Sequence, residues 1–175
     1  MKKAGFLAGL LLGLAGTAMG LEVGRPAPDF TGPATGEKEI ALSSLRGRWV
    51  VLFFYPRSFT PGCTAQACSL RDGHAAIANL NAVVLGVSVD RIERQEEFKT
   101  EHRLPYDLIA DTDGEIARKF GVLGATGRLA RRVTFLIDPQ GRVAAIVDRV
   151  RTAEHDRQVR EEIERLQTPA HPPPA

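Results

Sequence analysis

The stretch that most restricts the fold is Trp49–Tyr55, WVVLFFY, an unbroken apolar and aromatic run closed by Pro56. A run this short and this apolar marks a strand buried on both faces. Residues 82–90, AVVLGVSVD, predict a second buried strand, and 106–111, YDLIAD, a short third. Helical patterns fall between them: Cys63 to about Leu80, then the charged segment 91–103, then 114–122, which Gly121 terminates. RVTFLID and RVAAIVD flank Pro139-Gln140-Gly141 and predict a hairpin. Residues 152–167 predict a last helix with Thr152 as its N-cap. Strand–helix alternation calls for parallel strands and the hairpin adds antiparallel ones. The expected class is α/β, a mixed central sheet with helices on both faces. The Pro- and Gly-rich segment 21–48 reads as an irregular entry with a short hairpin.

A length of 175 residues, 43% hydrophobic and 25% charged, suits one globular domain with extensions. The first extension is distinctive. Lys2 and Lys3 precede eighteen uncharged residues, 4–21, in which Ala18-Met19-Gly20 comes just before Leu21, and the first acid is Glu22. A basic start, an apolar middle and a small-x-small end make a secretory signal peptide over 1–20, cleaved after Gly20. The alternative is a retained anchor, and the stretch is short and glycine-rich for that role. Cleavage removes two lysines, leaving 21 basic residues against 21 acidic ones. A neutral mature chain speaks against electrostatic binding to nucleic acid or acidic membranes. Both methionines, Met1 and Met19, leave with the segment, which suits a chain exposed to oxidants. Export, with the periplasm as destination, puts the protein among oxidising conditions. Residues 168–175 read as a disordered Pro-rich tail.

The chain has two cysteines, Cys63 and Cys68. Cys63 follows the carboxyl end of a predicted strand, at the expected first turn of a helix, a functional location in open α/β sheets. Free N–H groups and the positive end of the helix dipole favour thiolate there. The Thr60 hydroxyl is within reach of the sulfur or of an incoming substrate, and Pro61 stiffens the loop. Along an intact helix Cys68 lies about 7.5 Å further up the axis and is turned by about 140°. A disulfide needs Cα atoms within about 7 Å. The pair therefore bonds only if the helix unwinds, which disfavours a permanent structural disulfide and favours a cycling pair.

PRSFTPGC sets Pro56, Thr60 and Cys63 in a P-x-x-x-T-x-x-C arrangement. It resembles the active-site signature of the peroxiredoxins, which reduce hydroperoxides with a cysteine thiolate. The longer FYPRSFTPGCTAQACSLRD is similar to the bacterioferritin comigratory protein (PrxQ-like) subgroup. VGRPAPDF, VLGVSVD, FGV and RVTFLID follow in the order that resemblance requires, over nearly all of 21–167. The resemblance implies a thioredoxin-like fold without bound cofactor or metal, often monomeric. It makes Cys63 the peroxidatic and Cys68 the resolving residue, Pro56 a shield for the pocket, Thr60 a bond to peroxide, and Arg132 the guanidinium beside the sulfur. Arg131 should point to the opposite face. The implied partners are a hydroperoxide and a thioredoxin-like dithiol reductant, and an exported enzyme needs a dedicated one.

Other readings rest on less. A thiol–disulfide oxidoreductase would use CxxC, which is absent. A copper-binding assembly protein would need the two thiolates and a histidine, for which His155, taken as an exposed helix position, and His171 are the candidates. Zinc is poorly served by two Cys and four scattered His. His74 and His102 read as surface helix residues, Trp49 as packing, Gln66 as a local hydrogen-bonder, and Arg71 and Asp72 as a solvated face. The loop 124–132 reads as a pocket mouth or a plain connection.

Overall fold

The computed structural model describes residues 21–168. The expected signal peptide and the tail beyond Thr168 lie outside the described residues. Seven strands are β1 (Thr31–Ala34), β2 (Lys38–Ala41), β3 (Trp49–Phe54), β4 (Ala82–Ser88), β5 (Asp107–Ala110), β6 (Val133–Ile137) and β7 (Val143–Val147). They form one sheet in the order β2-β1-β5-β4-β3-β6-β7. β3, β4 and β5 run parallel, while β6 and β7 add antiparallel strands at one side and β1 and β2 at the other.

The apolar run of β3 explains its central place. Val50, Leu52 and Phe54 enter one buried cluster, and Val51, Phe53 and Tyr55 enter another on the opposite face. Side chains alternate across a strand, so a strand with two buried faces must be apolar at every position. The first cluster takes in Ile116, Ala117 and Phe120 from α4 (Glu115–Lys119) and its carboxyl end. The second takes in residues of α1 (Pro61–Asp72), α2 (His74–Asn79), α3 (Ile92–Glu101) and α5 (His155–Gln167). Helices thus cover both faces, unequally.

Three boundaries differ from the sequence reading. The helix expected from Cys63 to Leu80 is two helices broken at Gly73, where a Cβ would collide with the Asp156 side chain. The last helix starts at His155, behind a separate 3-10 turn at Thr152–Glu154, so Thr152 does not cap it. The fourth helix is only Glu115–Lys119, although Gly121 does hold the left-handed conformation (φ 67°) just beyond its end. No described helix is long and apolar enough to cross a membrane.

Two features of this sheet build the site. Parallel β3 ends where α1 begins. Antiparallel β6 starts there too, because Phe54 pairs with Val133. The residue before Val133 therefore arrives beside the first turn of α1.

Candidate active site

Cys63 lies in the first turn of α1, buried to 1% exposure. Pro61 takes the first helical position, where its missing N–H has no partner to lose. Thr60 is the N-cap, in extended conformation, but its side chain makes no capping bond. Its hydroxyl donates to the Arg57 carbonyl oxygen (3.0 Å) and not to the Cys63 sulfur. The first-turn amides are thus left without a side-chain cap, and their partial positive charge is aimed at the region of the thiol.

Arg132 supplies the full charge. Its Nη2 donates to Cys63 Sγ at 3.3 Å, and its Nη1 donates to Gln66 Oε1. Cys63 and Gln66 are three residues apart on α1, so they share a helix face. The planar fork of a guanidinium reaches both at once. A Cβ on Gly62 would stand 3.2 Å from Arg132 Nη2 and crowd the guanidinium. Arg131 is exposed, and its Nη2 donates to the Gly121 carbonyl at 2.9 Å, away from the sulfur. Pro56 is half-buried at the end of β3, seven residues before the thiol. The structure thus brings Pro56, Thr60, Cys63 and Arg132 to one end of the sheet, with Arg132 in direct contact with the sulfur.

Cys68, half-buried, sits within the same helix, and both cysteines are free thiols. It sits between Ala67, whose carbonyl accepts from Tyr106 Oη at 2.8 Å, and Ser69. Arg71 pairs with Asp72 (2.8 Å) and donates to the His102 carbonyl (3.0 Å), away from the catalytic end.

The sequence reading missed the scaffold of the 55–60 turn. Phe59 holds a left-handed backbone (φ 64°), uncommon for a bulky residue. The Ser58 amide donates to Asp90 Oδ2 at 2.7 Å, and that oxygen also accepts from Ser88 Oγ at 2.8 Å. Tyr55 Oη donates to Gln95 Oε1, while Gln95 Nε2 donates to Ser88 Oγ (2.8 Å) and the Ile109 carbonyl (3.1 Å). Arg94 lies 4.7 Å above the Phe59 ring, whose other contacts are Phe98 and His102. Burial removes Tyr55 from any acid–base role, since desolvation pushes its hydroxyl well above the ordinary tyrosine value. Two signals were present: Ser88 and Asp90 interrupt the apolar run AVVLGVSVD, and Gln95 lies three residues before Phe98, on the same helix face.

His155 requires a correction. It is fully buried, because the first turn of α5 packs between α1 and β6. Its Nε2 meets Thr134 Oγ1 at 2.8 Å and its Nδ1 meets Gln158 Oε1 at 3.2 Å. Gln158 Oε1 can only accept, so Nδ1 carries the hydrogen and Nε2 accepts from Thr134. Both nitrogens are engaged, so His155 is not an available copper ligand. Among the described residues no three His, Cys, Asp or Glu side chains gather as a metal group. His74 and His102 are half-buried, packed on Tyr106 and Phe98 respectively, instead of free at the surface. Trp49 packs against the second cluster.

A cavity of about 470 Å³ between α2, β2 and the start of β4 includes His74 and Tyr106 in its wall but neither cysteine. Cys63 and Arg132 lie at the opposite end of the sheet.

Residues 23–146 match the model of the AhpC/TSA family. The chain is 38% identical over 143 residues to peroxiredoxin Bcp of Bacillus subtilis, covering 78% of this chain and 91% of that one. It is 33% identical over 141 residues to peroxiredoxin Bcp of Escherichia coli, covering 77% and 90%. The crystal structure of peroxidoxin BcpB from Mycobacterium tuberculosis superposes with a TM-score of 0.78 at 32% identity, covering 85% of this chain and 99% of that one. The expected thioredoxin-like fold holds.

Proposed function

The chain belongs to the AhpC/TSA family and is a peroxiredoxin, and on that premise we propose that Cys63 and Cys68 carry a two-cysteine thiol peroxidase cycle. The observation that carries the assignment is the 3.3 Å contact from Arg132 Nη2 to Cys63 Sγ at the uncapped start of α1. The guanidinium and the free amides stabilise the thiolate, the form that attacks. Cys63 thiolate attacks one peroxide oxygen, the O–O bond breaks, and water or an alcohol leaves with a proton. Cys63 becomes a sulfenic acid. Arg132 and the helix amides face the charge that develops on the departing oxygen, the kind of preorganised donor that contributes most to such steps. Thr60, whose hydroxyl hydrogen is committed to Arg57, offers its oxygen lone pairs to the peroxide O–H. Pro56 walls the pocket against water.

The cysteines occupy one intact helix, so the second step requires α1 to unwind. Cys68 thiol then displaces water from the sulfenic acid and a Cys63–Cys68 disulfide forms. A thioredoxin-like dithiol protein reduces it by exchange. The substrates are hydrogen peroxide and organic hydroperoxides, and the unit acts as a monomer. The sequence pattern of residues 1–20 supports export to the periplasm, where a dedicated reductant must serve the enzyme.

The test is peroxide-dependent thiol loss. Reduced protein lacking residues 1–20 is mixed with one equivalent of hydrogen peroxide, and free thiols and intact mass are followed. Rapid loss of both thiols with a mass decrease of about two hydrogens marks the intramolecular disulfide. Thiols that survive for minutes overturn the assignment.

A further inference from the structure

The loop 124–132 carries a charge pattern of its own. Between Glu115 and Asp138 the chain has five cations, Arg118, Lys119, Arg128, Arg131 and Arg132, and no acid. The loop is closed on itself. Leu123 bridges Ala130, the Gly124 amide donates to the Leu129 carbonyl at 2.8 Å, and the Arg131 amide donates to the Val122 carbonyl at 2.7 Å. It leads directly into Arg132, whose guanidinium touches Cys63 Sγ, and it leaves Arg128 and Arg131 exposed. Two further segments bring cations to the same end. Arg57 is exposed in the turn before α1, where its carbonyl accepts from Thr60. On the other side, Val147 pairs with Thr134, so the chain leaving β7 runs past Arg132. There Arg149 is exposed, with its carbonyl held by Gln158 Nε2 at 3.0 Å.

Arg57, Arg128, Arg131 and Arg149 thus come from three separate segments, and among the described residues none of them makes an ion pair. Few acids offset them. Asp90 and Asp111 are buried, with oxygens that accept from Ser58, Ser88, Ile116 and Ala117. Glu93 is paired with Arg91 at 3.3 Å. Asp113 and Glu115 follow β5, two strands away from β3. Asp148 is the exposed acid next to Arg149. Residues 21–175 carry no net charge, so this end is cationic by segregation of charge and not by excess. Hydrogen peroxide is neutral and gains little from such a field. The reductant is a protein that must bring a dithiol to the sulfurs, and a local field acts strongly on the encounter of two proteins. We infer that Arg57, Arg128, Arg131 and Arg149 form a docking collar for the reductant, and that the face it receives is an acidic surface around a dithiol. This rests on the peroxidase reading given above. One reductant thiolate attacks the Cys63–Cys68 disulfide, forms a mixed disulfide and releases the other cysteine. The second reductant thiolate attacks the mixed disulfide and leaves as the reductant's own disulfide. Two electrons and the two thiol protons of the reductant end on Cys63 and Cys68. The attacking group is itself an anion, so the collar draws in the thiolate as well as the surface around it.

The test uses two synthetic dithiol peptides, Cys-Gly-Gly-Cys flanked by glutamates in one and by lysines in the other. The disulfide form of the protein is mixed with each, and recovery of its thiols is followed by intact mass after acid quenching. Each rate is divided by that of the same peptide with hydroxyethyl disulfide, a neutral reference, which removes differences in thiol reactivity. At about 0.1 M salt, where charges act over about 10 Å, the acidic peptide should react about tenfold faster than the basic one. The preference should vanish at about 1 M, where the range is about 3 Å. Arg128→Glu combined with Arg149→Glu should slow the acidic peptide about tenfold, and Arg48→Glu, exposed at the far end of the sheet, should leave it within about twofold. Oxidation of Cys63 by hydrogen peroxide should stay within about twofold in both variants. Equal rates for the two peptides, or equal slowing by Arg48→Glu, overturn the collar while leaving the peroxidase intact. Equal peptide rates together with sedimentation on vesicles of equal parts phosphatidylcholine and phosphatidylglycerol, lost in the double variant, would assign the patch to an acidic membrane instead. A wild-type protein that keeps both thiols under hydrogen peroxide overturns the peroxidase reading, and the collar with it.

Discussion

Arg132 touches Cys63 with one arm of its guanidinium and Gln66 with the other. The second contact fixes the plane of the first, because a fork held at two points cannot rotate away from the sulfur. Charge alone is then insufficient at this position. Arg132→Lys keeps the charge but gives a single flexible point donor, and Arg132→Gln loses both charge and reach. Both should lower the second-order rate with hydrogen peroxide by about 10²-fold, the usual cost of one catalytic donor. Gln66→Ala, which frees the guanidinium without removing it, should cost less, about 10-fold. Stopped-flow rates of Cys63 oxidation measure all three. A Lys variant with the full rate would mean that the geometry of the fork is irrelevant.

The two cysteines should separate cleanly by substitution. Cys63→Ser should abolish peroxide reduction altogether, since the serine hydroxyl stays protonated at neutral pH and is a far weaker nucleophile. Cys68→Ser should keep the first oxidation and lose the disulfide, so the protein consumes one equivalent and stalls as a sulfenic acid, or two equivalents where excess peroxide carries it on to the sulfinic acid. Counting peroxide consumed per chain in the absence of reductant distinguishes them. Sustained turnover by Cys68→Ser with the same reductant would show that resolution happens elsewhere.

The apolar run at β3 and the P-x-x-x-T-x-x-C pattern were legible because each is local: one is a strand's own composition, the other a loop and helix start within eight residues. Arg132 was legible only through the resemblance, since its nearness to Cys63 depends on the β3–β6 register. His155 was misread for the same reason. Its helix is strongly charged, and nothing within the segment shows that its first turn is wedged between α1 and β6. The tight seat of Gly73 was hidden because the side chain packed against it, that of Asp156, lies 83 positions away. Thr60 kept its place, but its hydroxyl is engaged by Arg57, a neighbour that no spacing rule singles out.

The turn that carries Thr60 depends on Asp90. Its carboxylate is the only partner of the Ser58 amide among the described hydrogen bonds, and a buried amide without a partner costs about 1–3 kcal/mol. Asp90→Ala should therefore lower unfolding stability by about 2 kcal/mol in urea titration. It should also reduce the oxidation rate, because the left-handed turn at Phe59 relaxes and Thr60 moves with it. A variant that loses the stability but keeps the rate would show that the turn is set by Phe59 packing under Arg94 instead.

His155 makes stability pH-dependent with a definite sign. Desolvation lowers its pKa from 6.5 to about 4, the nearby Arg132 charge acts in the same direction, and Gln158 and Asp156 oppose it only in part. A buried neutral imidazole binds its proton less readily than the same residue in the unfolded chain. Above pH 6.5 neither state is protonated and the folded protein suffers no penalty. As pH falls from 6.5 to about 4 the unfolded state gains a proton first, and stability drops by about 3 kcal/mol, with about 2 kcal/mol of it gone by pH 5. Asp156 titrates below this window, since the bonds from Ser69, the Arg157 amide and Arg160 outweigh its desolvation and hold its carboxyl below the ordinary value. Asp111, whose carboxyl is raised by desolvation, titrates alike in wild type and in a His155 variant, so the difference between their slopes from pH 6.5 to pH 5 isolates the histidine. His155→Gln, which keeps a polar group beside Thr134, should be less stable than wild type at pH 7.5 yet show a flatter slope in urea unfolding across that range. Parallel slopes in the two proteins would mean that His155 takes up its proton as easily folded as unfolded, and that the Thr134–His155–Gln158 chain does not hold it neutral.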